Sequence, residues 1–231
     1  MSWYDLIDKN GTAVIPDGTV EIPENVYSHC GTLKSVILPN SVRVIGRHAF
    51  DSCGSLESAV LPDGLVEVGD YAFRLCHRLH IPRIPDPVVK IGDGAFDSCK
   101  LPESLAFTNV IEIGGAAFNQ CWGLRCITIP ACTKTIGTFA FHSCKDLERI
   151  SADPDNPNFS ASGNCLLSKD GKTLFHPGLQ YIGHPGWCGG NSHRCLLRHV
   201  RAEEHFVIEN DNKSGRAETN GMRYYNVNLM D

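Results

Sequence analysis

The residue types with the greatest chemical potential are concentrated near the C-terminus, where histidines and cysteines lie close together. Within 22 residues lie His184, Cys188, His193, Cys195, His199 and His205. Imidazole and thiolate are ligands that zinc prefers, but a zinc site is usually built on a close pair such as Cys-x2-Cys. Here six residues separate the two cysteines. We therefore predict no metal site; the residues that would form one are Cys188, His193, Cys195 and His199, and the simpler interpretation is irregular chain.

The same region contains no recognisable catalytic arrangement. A nucleophile built from Cys188 and a histidine needs an oriented base and an oxyanion pocket, and no motif supplies them. Phosphate-binding glycine loops, G-x-S-x-G and H-E-x-x-H do not occur in the sequence. The basic residues from Arg194 to Arg201 are followed at once by Glu203 and Glu204, which favours a solvated surface over a phosphate contact. We predict no enzymatic activity and no cofactor.

Six other cysteines recur at intervals of 22 or 23 residues: Cys30, Cys53, Cys76, Cys99, Cys121 and Cys144. An aromatic residue lies three residues before each of them: Tyr27, Phe50, Phe73, Phe96, Phe118 and Phe141. Glycine lies seven residues before the last five: Gly46, Gly69, Gly92, Gly114 and Gly137. A repeat of this length indicates a solenoid, because a single unit cannot bury its apolar residues without neighbours.

Each repeat is predicted to turn several corners. At the end of the first repeat, residues 33–38 finish in alternating apolar positions, which indicates a strand, and Pro39 closes that strand because it cannot extend a ladder. Residues 42–45 form a second extended piece that ends at Gly46, where we predict a corner with positive φ. The Ala-Phe pair that follows is predicted to begin a short helical turn.

The recurring cysteines could in principle be bridged, because stacked coils lie about 4.8 Å apart and a disulfide tolerates that Cα separation. Equivalent side chains of stacked coils, however, point in parallel toward the core rather than at one another. We therefore predict reduced, buried thiols that donate weak hydrogen bonds.

The repeating unit, P-x-x-[VLT]-x-x-[IV]-G-x-x-A-F-x-x-C-x-x-L-x-x-[IV]-x-[IL], resembles the BspA-like, or treponemal-type, leucine-rich repeat, and residues 16–152 supply six copies. Residues 155–178 resemble the Asn-Pro-Asn-Phe and Lys-Asp-Gly insert that interrupts or ends such arrays. The resemblance implies a leucine-rich repeat solenoid, β-rich with short helical turns, of about six 23-residue repeats in a right-handed coil. It also implies a binding or adhesion scaffold and carries over no catalytic residue.

We divide the chain into an N-terminal hairpin cap (1–15), the solenoid (16–152), an insert with a C-terminal hairpin (153–178) and an irregular or disordered tail (179–231). The two hairpins are predicted because Asn10-Gly11 and Asp170-Gly171 lie between apolar pairs, and such dipeptides favour tight hairpin turns. Hairpins at both ends would cover edges that otherwise recruit other chains.

The pattern is irregular in the third and fourth repeats. Pro82 occupies the position predicted to point inward in the third strand, where a missing N–H interrupts the ladder. In the fourth repeat, either Leu101 or the pair Leu105 and Phe107 takes the inward places. We predict a kink between Pro82 and Phe107.

Composition limits the classes of function. The chain has 231 residues, 42% of them hydrophobic, and a net charge of −5, which excludes a disordered acidic chain and a polybasic nucleic-acid binder. No run of 18 apolar residues occurs, so we predict no membrane insertion. The N-terminus lacks a secretory signal, which predicts a cytoplasmic protein; the alternative is a cell-surface or secreted protein whose leader was removed.

The predicted binding surface consists of the outward positions of the repeated strands, five and seven residues after each recurring cysteine. The candidate binding residues are Ser35, Ile37, Ser58, Val60, Arg83, Ser104, Thr128 and Arg149, and the same columns include Ile81 and Cys126. Their small, hydroxylated and mildly apolar character suits contact with a protein partner, although strand propensity alone favours similar residues. We predict a monomer that binds a protein. The alternatives are a structural repeat fragment without its own ligand and a metal-binding C-terminal segment carried on the solenoid.

Overall fold

The structure is a computed structural model, and it describes residues 2–81, 83–162, 165–171, 173–176, 195–199 and 206–210. Its main body is a stack of six coils, as the repeat predicts. Each coil contributes a two-residue strand to one six-stranded parallel sheet. In chain order these strands are β2 (Glu21–Ile22), β4 (Val44–Ile45), β6 (Glu67–Val68), β7 (Lys90–Ile91), β9 (Glu112–Ile113) and β11 (Thr135–Ile136).

The other set of strands forms two separate parallel sheets. The first parallel sheet contains β1 (Thr12–Val14), β3 (Ser35–Ile37) and β5 (Ser58–Ala59), and the second contains β8 (Ser104–Leu105), β10 (Cys126–Ile129) and β12 (Arg149–Ala152). The gap between the two sheets runs from Ala59 to Ser104 and overlaps the segment for which the sequence predicts a kink; the kink itself stays a prediction. Pro82 itself lies outside the described residues.

In the fourth repeat, the sequence leaves open which apolar side chains point inward, and the structure answers this question. Leu101, Leu105 and Phe107 are all buried, so the predicted choice between Leu101 and the other two residues does not arise. The three side chains fit because Lys100 and Ser104 pair with different strand positions of the next coil, Trp122 and Cys126. One coil therefore supplies inward residues at two offset positions.

The core is a column of aromatic rings surrounded by aliphatic side chains. The six aromatic residues before the recurring cysteines are fully buried, and their ring centroids lie 5.1–5.7 Å apart with interplanar angles of 17° or less. Because each ring contacts the rings of the neighbouring coils, the stability of one coil depends on the next.

The Ala-Phe corners are tight turns and not helical turns, so this part of the sequence prediction is wrong. In every coil the residues five and one before the cysteine have positive φ, as at His48 (53°) and Ser52 (59°). The N–H groups of these residues point out of the coil and donate to the next one, for example from Ser52 to the Arg74 carbonyl at 2.7 Å. A helical turn would direct the N–H groups within its own coil, and the inter-coil ladder would be lost.

The repeated glycine has a different role from the predicted one. None of the five glycines has positive φ. Instead, a Cβ at Gly92 would lie 2.5 Å from the Asp70 nitrogen, so glycine is required because consecutive coils approach closely. The first coil has Pro23 at this position. No earlier coil packs against Pro23, and its missing N–H helps to end the sheet.

The caps at the two ends differ. At the N-terminus a 3-10 helix, Trp3–Leu6, places Trp3 and Tyr4 edge-on to Tyr27, and the predicted hairpin is reduced to a single antiparallel bridge between Ile7 and Ala13. β1 joins the parallel sheet instead, because parallel pairing continues the register of the following coils.

At the C-terminal end the predicted hairpin is present within a three-stranded antiparallel sheet. It contains β13 (Phe159–Ser162), β14 (Cys165–Ser168) and β15 (Leu174–His176). Gly171 has a φ of +71° in the turn between β14 and β15. Asn156 anchors the start of this sheet, because its buried amide donates to the carbonyls of Pro130 and Thr133.

Within residues 179–231 the structure describes two antiparallel strands, β16 (Cys195–His199) and β17 (Phe206–Asn210). The sequence predicts no regular structure here. Phe206, Val207 and Ile208 favour a β-strand. They form only a short run between polar segments, and the polar composition of those segments is the basis of the prediction. The irregular character of the rest of the tail stays a prediction.

Candidate functional site

The strand face comprises the outward side chains of the first and second parallel sheets. Side chains alternate between core and solvent along each strand, so Val36 is buried and Ile37 is 55% exposed. Cα pairing and isolated bridges join one row of outward positions across five coils and the N-terminal strand: Thr12, Ser35, Ser58, His80, Lys100 and Trp122. The row ends at Trp122, which lies before β10, so it does not run into the second parallel sheet, where Ser104 pairs with Cys126.

An apolar row runs across the first parallel sheet. Val14, Ile37 and Val60 are 55%, 55% and 63% exposed. Val14 pairs with Ile37, and Val60 follows Ala59, the partner of Val36, so the three side chains occupy neighbouring positions. The sequence analysis found Ile37 and Val60 and missed Val14, which lies before the first repeat and is placed by the parallel pairing of β1.

The second parallel sheet has a polar surface. Thr128 and Ser151 lie opposite each other, and their hydroxyl oxygens are 2.9 Å apart. Ser104 and Arg149 are exposed. The hydroxyls of Thr128 and Ser151 are partners for each other, which distinguishes this part of the strand face from the apolar row.

One predicted outward position is wrong: Ile81 is fully buried. The reason is a shift of one residue in the third repeat, where His80 pairs with Ser58 and Ile81 takes the inward place predicted for Pro82. Arg83 is exposed as predicted and forms an ion pair with Asp63.

A buried polar cluster lies on the turn side of the stack, away from the strand face. The Asp51 carboxylate is 2% exposed and accepts hydrogen bonds from Arg74 at 2.8 and 3.0 Å and from the His48 Nδ1 at 2.9 Å. Burial alone raises the pKa of Asp51, but the hydrogen bonds from Arg74 and His48 outweigh it and hold that pKa below its ordinary value. This cluster ties neighbouring coils together.

Sequence reasoning missed this cluster. The available signal was the alternation of charge two residues before successive cysteines: Asp51, then Arg74, then Asp97. Burial raises the pKa of Asp97, and hydrogen bonds from Ser98 and Asn119 offset the effect only in part. Equivalent positions in a solenoid are neighbours, so an alternating column predicts inter-coil ion pairs.

The cysteine ladder is a column of thiols that donate to backbone. Cys53 Sγ donates to the Tyr27 carbonyl at 3.0 Å, and Cys76, Cys99, Cys121 and Cys144 repeat this contact with the aromatic residue of the coil before. Cys30 has no preceding coil, and its sulfur lies 3.4 Å from the Thr32 hydroxyl. Burial raises the pKa of Cys53 to about 12. The predicted burial and hydrogen bonding are confirmed, and these thiols are poor nucleophiles.

We expect thiol titration without reductant to detect the six ladder cysteines only after denaturation, because all six are buried. The half-exposed Cys126 and Cys132 serve as an internal control and react in the native protein. Because Cys165 is buried as well, the expected gain on denaturation is at least seven thiols, and a smaller gain contradicts free ladder cysteines.

The metal-site candidates are not brought into a described site. Cys188 and His193 lie outside the described residues, and Cys195 and His199 belong to β16, for which only the backbone is described. In the part of the chain that the structure describes, no three His, Cys, Asp or Glu side chains form a group able to hold a metal ion.

A shallow groove of about 230 Å³ lies over the six-stranded sheet. Two of its acidic lining residues have backbone partners, because Asp70 accepts the Asp93 N–H at 3.0 Å and Asp93 accepts the Gly115 N–H at 2.7 Å. These carboxylates join successive coils.

Among the described residues, no helix is long and apolar enough to cross a bilayer.

Comparison with known proteins agrees with this architecture. The BspA type leucine rich repeat region matches the sequence in six copies, over residues 9–108 and 76–163. The chain belongs to the BspA-type leucine-rich repeat family. A search of the curated proteins found no match.

Two solved structures illustrate the similarity. A leucine-rich repeat protein from Eubacterium ventriosum is 21% identical, with a TM-score of 0.62, over 74% of this chain and 47% of that chain. The Treponema pallidum leucine rich repeat protein is 31% identical, with a TM-score of 0.43, over 62% of this chain and 59% of that one. The first supports the fold alone. This chain thus spans about half the length of the proteins it matches.

Proposed function

We propose that this BspA-type repeat protein is a non-catalytic scaffold that binds a protein partner through its strand face. The apolar row of Val14, Ile37 and Val60 carries the proposal. More than half of each side chain is exposed, and contiguous exposed apolar groups are typical of the centre of a contact surface.

The repeat also supports binding by making the strand face rigid. Outward side chains of neighbouring coils are separated by the distance between paired strands, about 4.8 Å. The backbone that carries them is hydrogen-bonded to the next coil at several positions. A preformed surface loses little conformational entropy on association. The polar residues Thr128 and Arg149 lie farther along the stack, in the second parallel sheet.

The adhesion-type role and the cellular location belong to the same proposal. An adhesion scaffold acts at the cell surface, and the alternative location is the cytoplasm. Fractionation of source cells with an antibody against this chain distinguishes the two locations.

A structural fragment without its own ligand is the second candidate. In that case the partner-binding residues of the full array lie elsewhere.

The test substitutes glutamate at Val60 and Thr128 together. Both side chains are exposed, so we expect a stability loss of no more than about 1 kcal/mol together with loss of the partner captured by the unmodified protein. Val20→Glu is the matched control, because Val20 is 57% exposed and lies next to β2, on the six-stranded sheet. Capture that survives the double substitution, or that Val20→Glu abolishes equally, places the binding site outside the strand face.

A further inference from the structure

The outward row on the strand face begins with hydroxyl groups that have no partner. Thr12, Ser35 and Ser58 occupy its first three places. Within the described part of the chain, no hydrogen bond involves any of these three hydroxyls. The hydroxyls of Thr128 and Ser151 in the second parallel sheet, by contrast, are partners for each other. The first parallel sheet therefore presents a line of free donors beside the apolar row, which lies two residues farther along each strand.

The other end of the outward row is aromatic. The row continues from Ser58 through His80 and Lys100 to Trp122. The partly exposed Trp122 ring stacks on the ring of His77, two coils earlier, at a centroid distance of 5.8 Å. Two coils are about 9.6 Å apart, so at least one of these rings leans along the stack. The indole N–H of Trp122 forms no hydrogen bond with the described residues, so it is a further free donor.

The spacing of the outward row matches one backbone conformation of a ligand that runs along the stack. Alternate coils lie about 9.6 Å apart, and a polyproline II helix repeats every three residues, or about 9.3 Å. Over the roughly 24 Å from Thr12 to Trp122, these two periods drift apart by only about 1 Å. The turns of an α-helix, about 5.4 Å each, drift by about 3 Å from the single-coil spacing over the same length. The row therefore favours a polyproline II ligand over a helix.

The chemistry of the row favours the same ligand. The carbonyls of a polyproline II segment have no internal partner, so they need donors when a protein surface covers them. An α-helix satisfies its own carbonyls and has no use for a line of hydroxyls. Proline-rich segments also pack on exposed aromatic rings, and Trp122 provides such a ring together with its free N–H.

We propose that the partner bound by the strand face is a proline-rich segment in the polyproline II conformation, which lies along the outward row from Thr12 to Trp122. About eight residues span this length. Carbonyls that face the row accept from the free hydroxyls, aliphatic side chains contact the apolar row, and a proline ring packs on Trp122. The inference rests on the proposed partner-binding function and names the class of partner.

The experiment measures the fluorescence anisotropy of two labelled nonapeptides during titration with the full chain. One peptide is three copies of Pro-Pro-Val, which favours polyproline II. The other is three copies of Ser-Gly-Val, which carries the same valines on a flexible backbone. Because the first peptide is ordered before binding, we expect it to bind at least about tenfold more tightly than the second.

Substitutions in the outward row should weaken binding of the proline peptide. We expect a loss of about tenfold for Trp122→Ala, which removes the aromatic contact, and of about threefold for Ser35→Ala, which removes one donor. Phe139→Ala is the matched control for Trp122→Ala, because Phe139 is a 43% exposed aromatic residue on the turn side of the stack. It should leave the affinity unchanged. Circular dichroism of each variant verifies that the stack is folded.

Two results would overturn the inference. One is a proline peptide that binds no more tightly than the flexible peptide, including the case in which neither binds. The other is an equal effect of Trp122→Ala and Phe139→Ala on the affinity. The proposed function fails separately, when capture of the partner survives the glutamate substitutions at Val60 and Thr128. If those substitutions abolish capture while the proline peptide fails to bind, the strand face binds a partner of another class.

Discussion

Replacing Phe96 by alanine should lower the free energy of unfolding by about 3 to 5 kcal/mol. Phe96 is fully buried near the middle of the aromatic column, with ring centroids 5.5 Å from Phe73 and 5.6 Å from Phe118. The substitution leaves a cavity that neighbouring coils cannot fill, because ladders of backbone hydrogen bonds hold them at a fixed separation. Equilibrium urea unfolding followed by circular dichroism measures the loss.

Phe139→Ala provides the control, because Phe139 is 43% exposed and lies outside the column. We expect it to cost less than about 1 kcal/mol. Equal losses in the two variants would show that the column does not dominate the stability of the stack.

The second large effect is expected for Gly92→Ala. The added Cβ would lie 2.5 Å from the Asp70 nitrogen and 2.7 Å from the Gly69 carbonyl carbon. Both are backbone atoms of the preceding coil, so the coils must separate and weaken the bond from the Gly92 N–H to the Val68 carbonyl, 2.8 Å long. Overpacking of this kind costs about 3 kcal/mol, and urea unfolding detects it.

Gly54→Ala is the matched substitution, because no atom lies within 4 Å of the position of its Cβ and its φ is not positive. We expect unchanged stability or a gain of about 0.5 kcal/mol, since alanine restricts the unfolded chain. If Gly92→Ala is tolerated as well as Gly54→Ala, the repeated glycine does not serve close packing of the coils.

The sequence was sufficient to predict the repeat, the family, the inward aromatic column and the buried thiols. These features depend on residues that recur at one period, and equivalent residues of a solenoid must occupy equivalent places. Tyr27 to Phe141 could therefore be placed in one column before any contact was known. The candidate binding residues were located for the same reason, because alternation along a strand determines which side chains point outward.

Only the tertiary structure decided features that depend on how one coil meets the next. The sequence predicts a corner with positive φ at Gly46, but the requirement for the repeated glycine comes, as at Gly92, from the backbone of the preceding coil, which is 23 residues away in sequence. Ile81 was placed outward because counting from Cys76 cannot detect the shift by which His80 pairs with Ser58. Val14 joined the apolar row through the pairing of β1 with β3. Local periodicity determines which residues are equivalent, whereas close approach and register depend on contacts between coils, which the sequence of a single coil does not contain.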